Sequence, residues 1–209
     1  MAGELTVVGI GGSVAAPSRS LAALMLALDS AREAGARTTL FDLHRLRLPM
    51  YDPTVRHPPE PAQQLIETAY AADGLLWSSP LYHGTISGAL KNALDWLHVL
   101  VERDPPYLAD KVIGLISTAG GAQGLQALNT MEFVVRALRG WAVPYVVPIA
   151  QAREAFDDEG RVRDGSVAGQ LQLLGSEVVR VSRLFASSGT EDAEAECARA
   201  SEKVAATTG

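Results

Sequence analysis

Short apolar runs alternate with longer amphipathic stretches along this chain, and that rhythm narrows what it can fold into more than any other feature. Runs rich in Val, Ile and Leu bury both faces of a strand, which happens where helices cover a parallel sheet on both sides. The spacing predicts strands at Leu5–Ile10, Thr38–Phe41, Gly74–Ser78, Lys111–Ser117 and Val143–Ile149. It predicts helices at Arg19–Ala34, Ala62–Ala72, Ser87–Leu97, Gln123–Arg139 and Val167–Phe185. The fifth strand carries Pro144 and Pro148; proline donates nothing to a ladder, so this strand belongs at a sheet edge. Segment 44–61 holds five of the eleven prolines and is expected as a long ordered loop, not a helix. One helix after each strand gives a doubly wound five-stranded parallel sheet of order 2-1-3-4-5, in three α/β/α layers.

Composition bounds the rest. With 209 residues and 47% apolar content, the chain can bury one sizeable core. Acidic residues outnumber basic ones 24 to 18, which argues against general nucleic-acid binding and against adhesion to an anionic membrane. No stretch approaches the ~18 uninterrupted apolar residues that a membrane span needs. The start, MAGELTVVGIGG, lacks the basic and apolar regions of a signal peptide, and Cys197 is the only cysteine, so a cytoplasmic location is expected. Segment 187–209 is small, polar and acidic, with five acids and two bases; it is expected as a disordered tail following one domain at 1–186.

In open α/β sheets ligands bind at the carboxyl ends of the strands, so the loops after strands one, three and four are the places to look for chemistry. The first, Gly11 to Ser20, offers hydroxyls at Ser13, Ser18 and Ser20 and a guanidinium at Arg19, at the start of a helix whose free N–H groups attract anions. Hydroxyls and an arginine suit a terminal phosphate. A dinucleotide reading stays open through Gly9, Gly11 and an acid at Asp42, although Val14 stands where the third glycine belongs. Ser18 as a simple helix cap, with Arg19 in solvent, is the bland alternative.

The loop after strand three runs Pro80-Leu81-Tyr82-His83-Gly84 into Ser87-Gly88-Ala89-Leu90-Lys91-Asn92-Ala93-Leu94-Asp95-Trp96. This string resembles the NADPH-dependent FMN reductase family, which carries a Pro-x-Tyr-Asn/His-Gly turn before a Ser-Gly-x-Leu-Lys-Asn-x-Leu-Asp helix. The first loop looks like that family's phosphate loop, and Thr118-Ala119-Gly120-Gly121-Ala122 like the loop that approaches the flavin ring. Many relatives place an arginine where this chain has Val14, which leaves Arg19 as the one cation of the first loop. The resemblance implies a flavodoxin-like fold and FMN held by Ser13, Ser18, Arg19, Ser20, Pro80, Leu81, Tyr82, His83, Gly84, Thr118, Gly120 and Gly121. It further implies NADPH or NADH as hydride donor and a small-molecule electron acceptor (a second flavin, a quinone or an azo compound). Reduced flavin for a partner monooxygenase and assembly as a homodimer or homotetramer belong to the same expectation. No catalytic side chain and no metal ligand set is expected, because the cofactor carries the redox step. Leu90, Leu94, Trp96 and Leu97 fit either a subunit contact or the core, Lys91 and Asp95 a surface pair one helical turn apart, and Trp77 the core.

Overall fold

A computed structural model describes residues 4–207, with side chains described for residues 4–187. In chain order the elements are β1 (Thr6–Gly11), α1 (Arg19–Glu33), β2 (Arg37–Asp42), α2 (Leu43–Leu46), α3 (Glu60–Ala71), β3 (Gly74–Tyr82), β4 (Thr85–Ile86) and α4 (Gly88–Trp96). A 3-10 turn at Leu97–Glu102 leads to β5 (Val112–Thr118), α5 (Leu125–Ala137), β6 (Trp141–Ala142), β7 (Val147–Ile149), α6 (Ala152–Ala155) and α7 (Gly165–Thr207).

The strands pair in the order β2-β1-β3-β5, all parallel, and β6 and β7 together complete the far edge against β5. This is the doubly wound order the sequence predicts, with the proline-bearing strand at the edge. That strand is split, however: Pro144 lies between β6 and β7, where the missing N–H and fixed φ break the ladder.

Side-chain alternation with period two decides which helix covers which face. Val8, Ile10, Leu75, Trp77, Ile113 and Leu115 point to a core shared with α3, α4 and α5. Their neighbours Val7, Leu76, Val112 and Ile116 point to the opposite core under α1 and α7. Trp77 is fully buried, as expected. Leu90, Leu94, Trp96 and Leu97 are also buried within the single chain, so they are core residues and not subunit contacts. Lys91 and Asp95 form the surface ion pair. On the second face α1 and α7 cross closely at Gly175, where an added Cβ would lie 2.1 Å from the Ala27 carbonyl oxygen.

Two further differences concern loops. Segment 44–61 is not wholly a loop: it opens on α2, which Asp42 caps by accepting from the His44 N–H at 2.9 Å. The last helix runs to Thr207 where the sequence suggested an end at Phe185. The side chains of most of the acidic tail, beyond Ser187, lie outside the described residues.

Candidate functional site

Strand register brings the three loops to one rim. Gly11 pairs beside Ser78, Pro80 beside Thr118, and Thr118 beside Ile149, so the turns that follow β1, β3 and β5 leave the sheet side by side. Ser78 bolts two of them together: its buried hydroxyl donates to the Ser20 carbonyl at 2.8 Å, and the Gly12 N–H donates to the Ser78 carbonyl at 3.2 Å.

The first loop holds its polar groups inward. Ser13 is buried, its hydroxyl 3.3 Å from both the N–H and the carbonyl of Ala15. Ser18 does cap α1, accepting from the Leu21 N–H at 3.2 Å, and its oxygen lies 3.1 Å from that of Ser20. Arg19 is not free in solvent. It is half-buried, and its Nε is fully shielded from water with no hydrogen-bond partner. Asp42 has a structural role that needs no ribose: one carboxylate oxygen caps α2 and the other lies 3.6 Å from Arg45.

The second turn is a two-residue hairpin. β3 runs past the sheet and pairs antiparallel with β4, Tyr82 opposite Thr85. His83 and Gly84 between them have φ of 50° and 83°, the double left-handed geometry of a type I′ turn. That turn prefers Asn or Gly, so His83 accepts some strain there. His83, Gly84 and Tyr82 are exposed, and Pro80 and Leu81 half-buried. Below the turn, the Ser79 hydroxyl accepts from the Ser87 N–H at 2.9 Å, and Ser87 caps α4. In the third loop Thr118 is buried, whereas Gly120 and Gly121 are exposed and an added Cβ would meet no atom within 4 Å.

A cavity of about 530 Å³ opens beside this rim. Of the residues singled out from sequence, Ser13 and Tyr82 line it; Ser18, Arg19, Ser20, Pro80, Leu81, His83, Gly84, Thr118, Gly120 and Gly121 do not. Its other walls come from residues the sequence reading did not assign, among them His44, Arg47, Met50 and Asn92. Asn92 explains how the proline-rich segment is held. Its amide oxygen accepts from the Tyr51 N–H at 2.8 Å, its amide nitrogen donates to the Pro49 carbonyl at 2.9 Å, and Trp96 Nε1 donates to the same carbonyl at 3.0 Å. The Tyr51 ring meets Trp96 edge-on at 5.2 Å, and burial, then the nearby Asp95, pushes its phenol pKa above the usual value. The signal available in the sequence was a polar residue one turn before Trp96 on the buried face of α4.

Asn92→Ala removes two hydrogen bonds to the loop backbone; the Tyr51 N–H loses its acceptor, and the Pro49 carbonyl keeps only Trp96 Nε1. Its expected cost is about 1–3 kcal/mol, read as a lower urea midpoint with an unchanged slope. An unchanged midpoint would mean that the loop holds its shape without the clamp.

Comparison with known proteins agrees with this architecture. Two solved structures share the fold: RosB, with a TM-score of 0.73 and 17% identity over 95% of this chain and 87% of that one, and FerB of Paracoccus denitrificans, with 0.71 and 22% over 87% and 98%. Among curated proteins, NADPH-dependent FMN reductase ArsH of Rhizobium meliloti (strain 1021) is 30% identical over 150 residues, covering 72% of this chain and 61% of that protein. FMN-dependent NADPH-azoreductase of Staphylococcus aureus (strain USA300) is 34% identical over 126 residues, covering 58% and 64%. The matched region thus spans somewhat less than two thirds of the length of these relatives. The family model for NADPH-dependent FMN reductases matches residues 5–154, from the first strand through all three rim loops and into α6. With the match spanning most of the chain and the fold the same, this protein is a member of the NADPH-dependent FMN reductase family.

Proposed function

We propose that the chain is an FMN-dependent NAD(P)H oxidoreductase, a flavin reductase in the broad sense, with the phosphate of FMN at the start of α1 and its ring across the turns after β3 and β5. The buried, unpartnered Nε of Arg19 carries this reading. A guanidinium N–H shut away from water costs free energy unless an acceptor reaches it, and a phosphate oxygen is the acceptor that the neighbouring Ser13, Ser18 and Ser20 hydroxyls would also serve. The open space in front of Gly120 and Gly121 is consistent with a flat ring lying against that backbone.

When bound, FMN supplies the redox chemistry: it accepts a hydride from NADPH or NADH and returns the two electrons to a small-molecule acceptor. The protein's own part is binding and orientation. Ser13, Ser18, Arg19, Ser20 and the α1 N-terminus fix one end of the cofactor; the hairpin Pro80–Gly84 and Thr118 with its two glycines fix the other. The Ser78 bolt keeps the two ends at a set distance. Backbone N–H groups of Gly120 and Gly121 would stabilise the negative charge that the bound ring gains on reduction.

The same proposal takes a quinone, an azo compound or a second flavin as acceptor, with reduced flavin passing to a partner monooxygenase in the last case. It places the protein in the cytoplasm; no helix among the described residues is long and apolar enough to cross a membrane. Assembly as a homodimer or homotetramer is supported by large apolar side chains left exposed, Phe133 at 71% and Trp141 at 56%. The unit that does this is 1–186, and segment 187–209 has no assigned part in it.

Anaerobic mixing of FMN-loaded protein with NADPH or NADH tests the reading. The expected result is loss of the flavin's visible absorbance within the turnover time. Bound FMN that neither nucleotide bleaches would instead indicate an electron carrier without hydride chemistry.

A further inference from the structure

The cavity beside the rim has a composition that the flavin cradle does not explain. Its lining includes two basic side chains, His44 and Arg47, and not one carboxylate, in a chain whose net charge is −6. Around them stand apolar groups that the fold leaves uncovered, Val14 at 69% and Met50 at 81% exposure, with Tyr82 at 50%.

Arg47 lines the cavity with an exposed side chain. It ends α2 with φ 46° and ψ 48°, a left-handed conformation that a side chain of its size adopts at some cost. Its neighbour Arg45 pairs with Asp42, but Arg47 makes no hydrogen bond or ion pair among the described residues. His44 is tethered: its Nδ1 lies 2.6 Å from the Val14 carbonyl, which only accepts, so Nδ1 donates and Nε2 is the ring nitrogen left over. One tethered imidazole and one unpartnered guanidinium beside apolar walls suit a ligand portion that combines an aromatic ring with a nearby negative charge.

We propose that this cavity receives a portion of a substrate in which an anionic oxygen group stands close to an aromatic ring, with Arg47 as the residue that selects for the negative charge. The inference rests on the flavin reductase reading. Two sources offer such a group: the 2′-phosphorylated adenosine of NADPH, and an aromatic acceptor carrying a carboxylate or sulfonate.

Two arms separate the sources. In the first, apoprotein is titrated calorimetrically with adenosine 2′,5′-bisphosphate and with adenosine 5′-phosphate. In the second, KM of the FMN-loaded protein is compared for a carboxylated azobenzene and its methyl ester. The wild type is expected to favour the more highly charged member by about tenfold or more in at least one arm, as a charge-assisted arginine contact would give. Arg47→Ala should reduce that preference to within about threefold, and Arg47→Lys should restore part of it. Fluorescence titration should find FMN affinity the same in both variants, since Arg47 lies outside the proposed phosphate loop. Absence of any charge preference in both wild-type arms overturns the inference, and so does a preference that survives Arg47→Ala. Failure to bind FMN would overturn the cofactor reading instead, and the calorimetric arm on apoprotein would still decide whether the cavity selects charge.

Discussion

Arg19→Ala lowers FMN affinity by about 10- to 100-fold, the loss expected when a charge-assisted contact worth about 1.5–3 kcal/mol is removed. The informative part is that the apoprotein should not suffer with it. Arg19 is the first residue of α1, a helix with no acidic residue in its first turn, so its positive charge sits against the positive end of the helix dipole. Its Nε is buried without a partner. Both features cost stability, and alanine relieves both. A gain of about 0.5–1 kcal/mol in unfolding free energy without flavin, together with weaker binding, is the expected pair of results. Fluorescence titration with FMN and urea melts of the flavin-free protein read the two separately. Unchanged affinity would return Arg19 to an incidental place on the helix.

Gly175→Ala lowers the melting temperature by about 4–8 °C, corresponding to about 2 kcal/mol for a domain of this size. In an exposed helix the same change stabilises, by about 0.5–1 kcal/mol, because alanine has less backbone freedom to lose. Here the new methyl would stand 2.1 Å from the Ala27 carbonyl oxygen and 3.0 Å from the Ser30 Cβ. Neither atom belongs to a side-chain tip that can swing aside, so α1 and α7 must separate. That separation also strains the bond between the Ser30 hydroxyl and the Gln172 carbonyl, 2.6 Å long in this crossing. Overpacking of a well-filled contact costs about 1–3 kcal/mol or more and outweighs the propensity gain. A melting temperature that holds or rises would show that the two helices sit farther apart than described.

The sheet was readable from sequence because its information is local. Buried runs such as Leu75-Leu76-Trp77 and Ile113-Gly114-Leu115-Ile116 signal strands covered on both faces, and the helices between them leave few ways to order them. Pro144 and Pro148 marked the edge but not the break, since whether one proline ends a strand depends on the partner's ladder. The four residues of α2 are too few for a helical period to register. The family string at 80–96 pointed to the rim, yet Asn92 passed unnoticed within it: its partners Pro49 and Tyr51 are more than forty residues away. The cavity was beyond reach for the same reason, as its walls come from the first loop, α2 and the residues after it, the hairpin and α4, segments that only the fold assembles.

Between α2 and α3 the backbone from 47 to 59 forms no strand; its hydrogen bonds to α4 come from Asn92 and Trp96, and Leu48 and Tyr51 pack against the core. A lineage can therefore lengthen, shorten or recolour this stretch while the ladder and the three rim turns stay as they are. Relatives built on one shared cradle would be expected to diverge first here, each admitting a different reactant through an inherited doorway.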